Sequence, residues 1–131
     1  MLGSSNNMKS KNIVLYETYD GVRFVLERSL QKISQSINIY SSNWKNEIKK
    51  IIRSKNVDLL ITELAQTNSN GLEVSALARK ISPEISIIWI TVLGCNRFRE
   101  YREKIGNIRC IEKPLAIEDF RKDVFKALNI H

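Results

Sequence analysis

Polar or charged residues close several of the apolar runs of this chain: Glu17 and Thr18 after Ile13-Val14-Leu15-Tyr16, Glu63 after Leu59-Leu60-Ile61-Thr62, Thr91 after Ile87-Ile88-Trp89-Ile90, and Lys113 after Ile111-Glu112. Twenty-eight positions separate Glu63 from Thr91 and 22 separate Thr91 from Lys113. Carboxylates of this kind, completed by water, are the usual ligands of magnesium, so Glu17 and Glu63 are candidates to hold one weakly. Other chemistries are poorly provided for. His131 is the only histidine and is terminal, which removes histidine-based catalysis and a phosphohistidine relay. Cys95 and Cys110 form no CxxC and have no histidine nearby, so a zinc site is not expected. Both are expected as reduced thiols, with Cys110 buried in a strand.

Five apolar strand patterns alternate with five amphipathic helix patterns, as in a parallel α/β sheet. The strands read Asn12 to Glu17, Ile37 to Ser41, Val57 to Glu63, Ile85 to Val92 and Arg109 to Glu112. The third and fourth are almost continuously apolar, as suits central strands covered on both faces. The first helix carries Val22, Val25, Leu26, Leu30 and Ile33 on one stripe and is expected to be capped by Asp20. The second stacks Trp44, Ile48, Ile51 and Ile52 opposite Lys45, Lys49, Lys50, Arg53 and Lys55. The third turns Val74, Leu77, Ala78 and Ile81 inward, ends before Pro83, and opens with a capping-box pattern, Asn70 and Glu73. The fourth is the weakest pattern, with Phe98, Tyr101 and Ile105 among basic residues. The fifth starts near Ile117 and buries Phe120, Val124 and Leu128.

Right-handed βα units of this length favour a doubly wound five-stranded sheet in the order 2-1-3-4-5. The first and fifth helices are expected on one face and the other three on the opposite face. In such sheets the functional crevice lies at the carboxyl ends of the strands. That is the edge to which Glu17, Thr18, Glu63, Thr91 and Lys113 are all sent.

The chain reads as one domain over 11–131, large enough to bury a core without staples. Residues 1–10 read as a disordered polar tail, in part vector-derived, with Met8 a candidate native start. The longest apolar run, Ile85 to Leu93, is too short to cross a membrane and contains serine and threonine, so a cytoplasmic protein is expected. A net charge of +7 suits an acidic partner without specifying one.

The joint spacing of these residues, with Gly71 eight positions after Glu63 and Pro114 after Lys113, resembles the receiver domain of two-component response regulators, the CheY-like branch of the flavodoxin-like fold. The resemblance covers about Lys11 to Leu128. It implies that Glu63 stands where the family has its phosphoacceptor aspartate. Glu17 and Thr18 stand at the acidic pair that helps hold magnesium. Thr91 supplies the hydroxyl that contacts the phosphoryl group, and Lys113 the lysine that pairs with it. Thr91 and Cys110 take the two switch positions, the second of which is aromatic in the family.

The departures point one way. Thr18 removes a carboxylate, Thr67 replaces the proline usual four residues after the acceptor, and Val92 is bulky where a small residue admits the phosphoryl group. Glu63 is one methylene longer than aspartate, about 1.5 Å of added reach. Misplacement near 1 Å costs phosphotransfer on the order of a hundredfold. The same reach brings the carboxylate towards Lys113, so an internal Glu63–Lys113 ion pair is expected. The leading expectation is therefore a degenerate receiver, not an enzyme and without a cofactor, that docks a protein partner or a second copy. The resemblance places that docking on the face of the fourth helix, fifth strand and fifth helix, through Arg97, Phe98, Arg99, Tyr101, Arg102 and Lys104. The chain stops just after its fifth helix, so any effector domain is expected either to be absent or to have been cut off. The alternatives are a working phosphoacceptor that autophosphorylates on Glu63 with a divalent ion, and a small-molecule sensor using the strand-end pocket. Flavin ranks low, because Glu17-Thr18-Tyr19-Asp20-Gly21 is no hydroxyl- and glycine-rich phosphate loop. Direct nucleic-acid binding is not expected without a recognisable reading motif.

Overall fold

A computed structural model describes residues 10–33, 36–65 and 70–129. Five strands, β1 (Lys11–Tyr16), β2 (Ile37–Ser42), β3 (Leu59–Leu64), β4 (Ser86–Thr91) and β5 (Ile108–Glu112), form one sheet in the order β2-β1-β3-β4-β5. Every pairing is parallel. The helices between and after them are α1 (Asp20–Gln31), α2 (Lys45–Ser54), α3 (Asn70–Ile81), α4 (Arg99–Ile105) and α5 (Ile117–Leu128). The expected doubly wound α/β fold and strand order are therefore observed.

Alternation along the central strands builds two cores. Val14, Tyr16, Leu60, Ile87 and Trp89 face α2 and α3, where they meet Ile48, Ile52, Val74 and Ala78. Ile13, Leu15, Leu59, Ile61, Ile88 and Ile90 face the other way, onto Leu26 and Leu30 of α1 and Phe120, Val124 and Leu128 of α5. Burying both faces explains why β3 and β4 are apolar at nearly every position.

The helices depart from the expected stripes at their edges. Trp44 precedes α2 as its N-cap and is 60% exposed, Ile81 closes α3 at 43%, and Val25 lies at the outer margin of α1 at 49%. Helical spacing alone therefore misplaces these three residues. Asp20 is the first residue of α1 rather than its cap. Tyr19 holds the cap position without a side-chain hydrogen bond, and Asp20 pairs with Arg23 at 2.8 Å. α3 is described from Asn70 onward, and the Glu73 carboxylate accepts from Lys45 and Lys49 of α2. The fourth helical region is split into a 3₁₀ turn, Cys95–Phe98, and the seven-residue α4.

The cysteines are not the free thiols expected from sequence. Cys95 and Cys110 are joined in a disulfide, with Cα atoms 5.9 Å apart and both residues half-buried. β4 and β5 pair with Trp89 opposite Cys110. The turn after β4 folds back over β5 and brings Cys95 within bridging range. A further tie was invisible in the sequence. The Arg79 guanidinium on α3 donates to the carbonyls of Pro83, Ile85, Ile105, Gly106 and Asn107, at 2.6 to 3.3 Å. One planar fork thus fastens α3 to the end of α4 and to the chain entering both β4 and β5.

Gly71 seats the start of α3 on the end of β3. A methyl group there would run into the Glu63 carbonyl oxygen and lie 2.6 Å from Leu64 Cδ2. Gly71→Ala should therefore lower stability by about 2 kcal/mol through overpacking, read as a reduced urea midpoint with an unchanged slope.

Candidate functional site

The carboxyl ends of β1, β3 and β5 bring Glu17, Glu63 and Lys113 together. Lys113 Nζ lies 3.3 Å from Glu17 Oε1 and 3.3 Å from Glu63 Oε2. The Glu17 and Glu63 side chains are 1% and 8% exposed, so both ion pairs are largely out of water. The remaining oxygens are also satisfied. The Thr18 hydroxyl donates to Glu63 Oε1 at 2.6 Å, and the Tyr19 N–H donates to Glu17 Oε2 at 3.1 Å. The Tyr19 ring lies 5.7 Å from Lys113 Nζ, within cation–π range. Backbone pairing places the lysine, because the Lys113 N–H donates to the Thr91 carbonyl at 2.8 Å. The Lys113–Pro114 peptide is cis.

The Glu63–Lys113 pair expected from the longer side chain is thus present, and Glu17 joins it. Thr91 lies on the same edge, but its side chain turns away from the carboxylates. It is fully buried, its hydroxyl donates to the Leu64 carbonyl at 3.0 Å, and it accepts the Leu93 N–H at 3.1 Å. A hydroxyl committed to two backbone groups does not point into the pocket. Val92 is 68% exposed and lines an apolar groove of about 780 Å³ with Val22, Val25, Leu115 and Lys113. Cys110 is held by its disulfide, so it is not free to move as a switch side chain. Thr67 and His131 lie outside the described residues.

Two buried carboxyls sharing one ammonium cannot both ionise easily. Burial raises the Glu17 carboxyl to about 7, helped by a hydrogen bond with Glu63 and by the nearby negative charge, against the Tyr19 N–H and Lys113. Burial also pushes Glu63 upward, but its hydrogen bonds with Thr18 and Glu17 and the charge of Lys113 prevail and lower it below the usual range. Glu63 is therefore the carboxylate of the pair, and Glu17 is the group that holds a proton towards neutrality. In this arrangement one oxygen of Glu17 and one of Glu63 are shared with the Lys113 ammonium. Among the described residues no group of three or more His, Cys, Asp or Glu side chains is placed to hold a metal.

On the face carried by the 3₁₀ turn and α4, Arg97, Arg99 and Lys104 are exposed, Arg102 is half-buried, and Tyr101 is 51% exposed. Phe98 is not part of that surface. It is buried at 8%, edge-on to Trp89 with ring centroids 6.3 Å apart, because the 3₁₀ turn directs it into the core. Among the described residues no helix is long and apolar enough to cross a membrane.

The chain is similar to the response regulator receiver protein CpdR of Brucella abortus (strain 2308), 21% identical over 118 residues, covering 90% of this chain and 97% of that protein. Among solved structures it resembles a CheY-like response regulator receiver domain protein from Methanospirillum hungatei JF-1, with TM-score 0.80, 16% identity, and 92% and 95% of the two chains covered. It also resembles the signal receiver domain of an HD domain-containing protein from Pseudomonas fluorescens Pf-5, with TM-score 0.81, 17% identity, and 92% and 96% covered. No protein-family model matches the chain. The fold is the CheY-like receiver fold.

The two glutamates give the pH dependence opposite signs in different windows. Glu17 binds its proton more tightly folded than unfolded, so its contribution is full below about 4.5 and is lost as pH rises towards about 7. The contribution of Glu63 is present above its ordinary value of 4.5 and is lost only as pH falls below it. Of these two groups it is therefore Glu17 that contributes a slope between pH 5 and 8. Glu17→Gln should flatten it, with stability close to wild type at pH 5 and higher at pH 8 by up to roughly 3 kcal/mol. Urea unfolding at the two pH values checks this.

Proposed function

We propose that this chain is a receiver module of a two-component response regulator that acts by docking a protein partner or a second copy, without ordinary phosphorylation. The observation that carries this reading is the Lys113 ammonium lying 3.3 Å from both Glu17 and Glu63. Phosphotransfer needs an acceptor carboxylate free to attack and a cation to neutralise developing charge. Here the acceptor-position carboxylate already accepts from Thr18 and pairs with Lys113. The threonine hydroxyl that would meet a phosphoryl oxygen is spent on the Leu64 carbonyl. This is a binding module rather than an enzyme. Its docking face is the basic surface of the exposed Arg97, Arg99 and Lys104 and the half-buried Arg102 around Tyr101, which suits an acidic partner surface.

Acetyl phosphate or beryllofluoride with magnesium should leave Glu63 unlabelled and the oligomeric state unchanged, as read by intact mass and sedimentation. Stoichiometric labelling of Glu63 would overturn the reading in favour of a working phosphoacceptor.

The pocket should be reopened by shortening one carboxylate and adding another. Glu63→Asp with Thr18→Asp should bind magnesium at least about tenfold more tightly than wild type, and more tightly than either single variant, because magnesium needs carboxylates not tied to the lysine. Calorimetric titration of the four proteins decides this. Equal affinities would mean that the pocket was never closed.

A further inference from the structure

The segment from Gly94 to Ile105 is lightly anchored. α4 is seven residues long and buries none of them fully, and a helix of that length has little stability of its own. At its far end the Arg79 guanidinium holds the Ile105 and Gly106 carbonyls. At its near end three ties are present: the Cys95–Cys110 disulfide, a hydrogen bond of 3.1 Å from the Cys95 N–H to Glu112 Oε2, and the buried ring of Phe98. Two of those three run to β5, and the hydrogen bond is exposed. The disulfide is therefore the main covalent restraint on where the 3₁₀ turn and the start of α4 sit.

The bridge can also be reached. Both cysteines are half-buried, and a cavity of about 540 Å³ between α4 and the open edge of β5 is lined by Cys110, Ile108, Asn107, Arg102, Glu103 and Arg109. Arg109 pairs with Asp123 at 2.9 Å. Arg102 shares that cavity with Cys110, and positive charge in the space a thiolate must cross favours its approach or departure, the thiolate being the species that carries exchange.

We propose that Cys95 and Cys110 are a reversible thiol–disulfide exchange site, serving a small or protein dithiol, that fastens or frees the start of α4. A thiolate of the dithiol attacks one sulfur of the bridge, forms a mixed disulfide and expels the other cysteine as a thiolate. The second thiol of the reagent then resolves the mixed disulfide. Two electrons and two protons pass to the protein, which holds two thiols, and the dithiol leaves as its disulfide. Oxidation by the disulfide form of the reagent runs the same steps backwards. The site stands on its own geometry. It becomes regulation of the docking face only through the reading above, since Arg97, Arg99 and Tyr101 ride on the freed segment.

The test equilibrates the full chain with graded ratios of reduced and oxidised dithiothreitol. Alkylation and intact mass count the thiols, and amide exchange is followed in 95–105 with β1 as the internal reference. Both thiols should appear together and disappear on reoxidation, and exchange in 95–105 should quicken by about tenfold or more on reduction while β1 is unchanged. The double variant Cys95→Ser, Cys110→Ser should show the fast exchange at every ratio. The proposal is overturned if both cysteines remain alkylatable in the oxidised reagent. It is equally overturned if bridged and reduced chains exchange alike over 95–105. Neither result bears on whether the face docks a partner.

Discussion

The strand-end edge of this protein is organised by the charge balance around one lysine. Two carboxylates and an ammonium are withdrawn from water together, and each alone would be expensive to bury. Lys113 reaches both Glu17 and Glu63 because β1, β3 and β5 end at one level of a parallel sheet. Thr18 and the Tyr19 N–H then satisfy the oxygens that face away from the lysine. One positive charge still cannot balance two negative ones. The excess falls on Glu17, the more deeply buried of the two, which keeps a proton towards neutral pH.

A second cation is handled differently. Arg79 meets only carbonyl oxygens among its described partners, including those of Ile105 and Gly106 at the end of α4. Carbonyls in the last turn of a helix have no intrahelical donor, so the guanidinium fork satisfies groups that would otherwise be orphaned. Burial lowers the Arg79 value from its ordinary one, but an arginine stays charged. The two cations thus divide the labour: Lys113 bridges the strand-end carboxylates, and Arg79 ties α3 to the end of α4 and to the chain entering β4 and β5.

That division leaves α4 held in two unlike ways. Its carboxyl end is clamped by a network of hydrogen bonds. Its amino end depends on Phe98 packing against Trp89 and on the Cys95–Cys110 link. With no fully buried residue of its own, α4 takes its position from its ends. The segment that carries the exposed Arg97, Arg99, Tyr101 and Lys104 is thus positioned from its two ends.

Much of this was legible in the sequence. Near-continuous apolar runs and helical stripes indicated the two-faced parallel sheet and its order, because each element must bury its own apolar atoms. They also placed Glu17, Glu63 and Lys113 on one edge, and the extra methylene of Glu63 anticipated its contact with the lysine. What periodicity could not supply was direction and partnership between elements. Thr91 has the right position, yet its hydroxyl serves the Leu64 carbonyl. Phe98 has the spacing of a surface anchor, yet the 3₁₀ turn sends it inward. Arg79 looks like a solvated helix residue until the chain entering β4 and β5 brings five carbonyls to it. Cys95 and Cys110 are 15 positions apart, and only the return of the turn across β5 brings them together. A sequence pattern reports what one segment must hide from water, whereas these contacts depend on how segments distant in the chain are registered against each other, which the folded sheet alone decides.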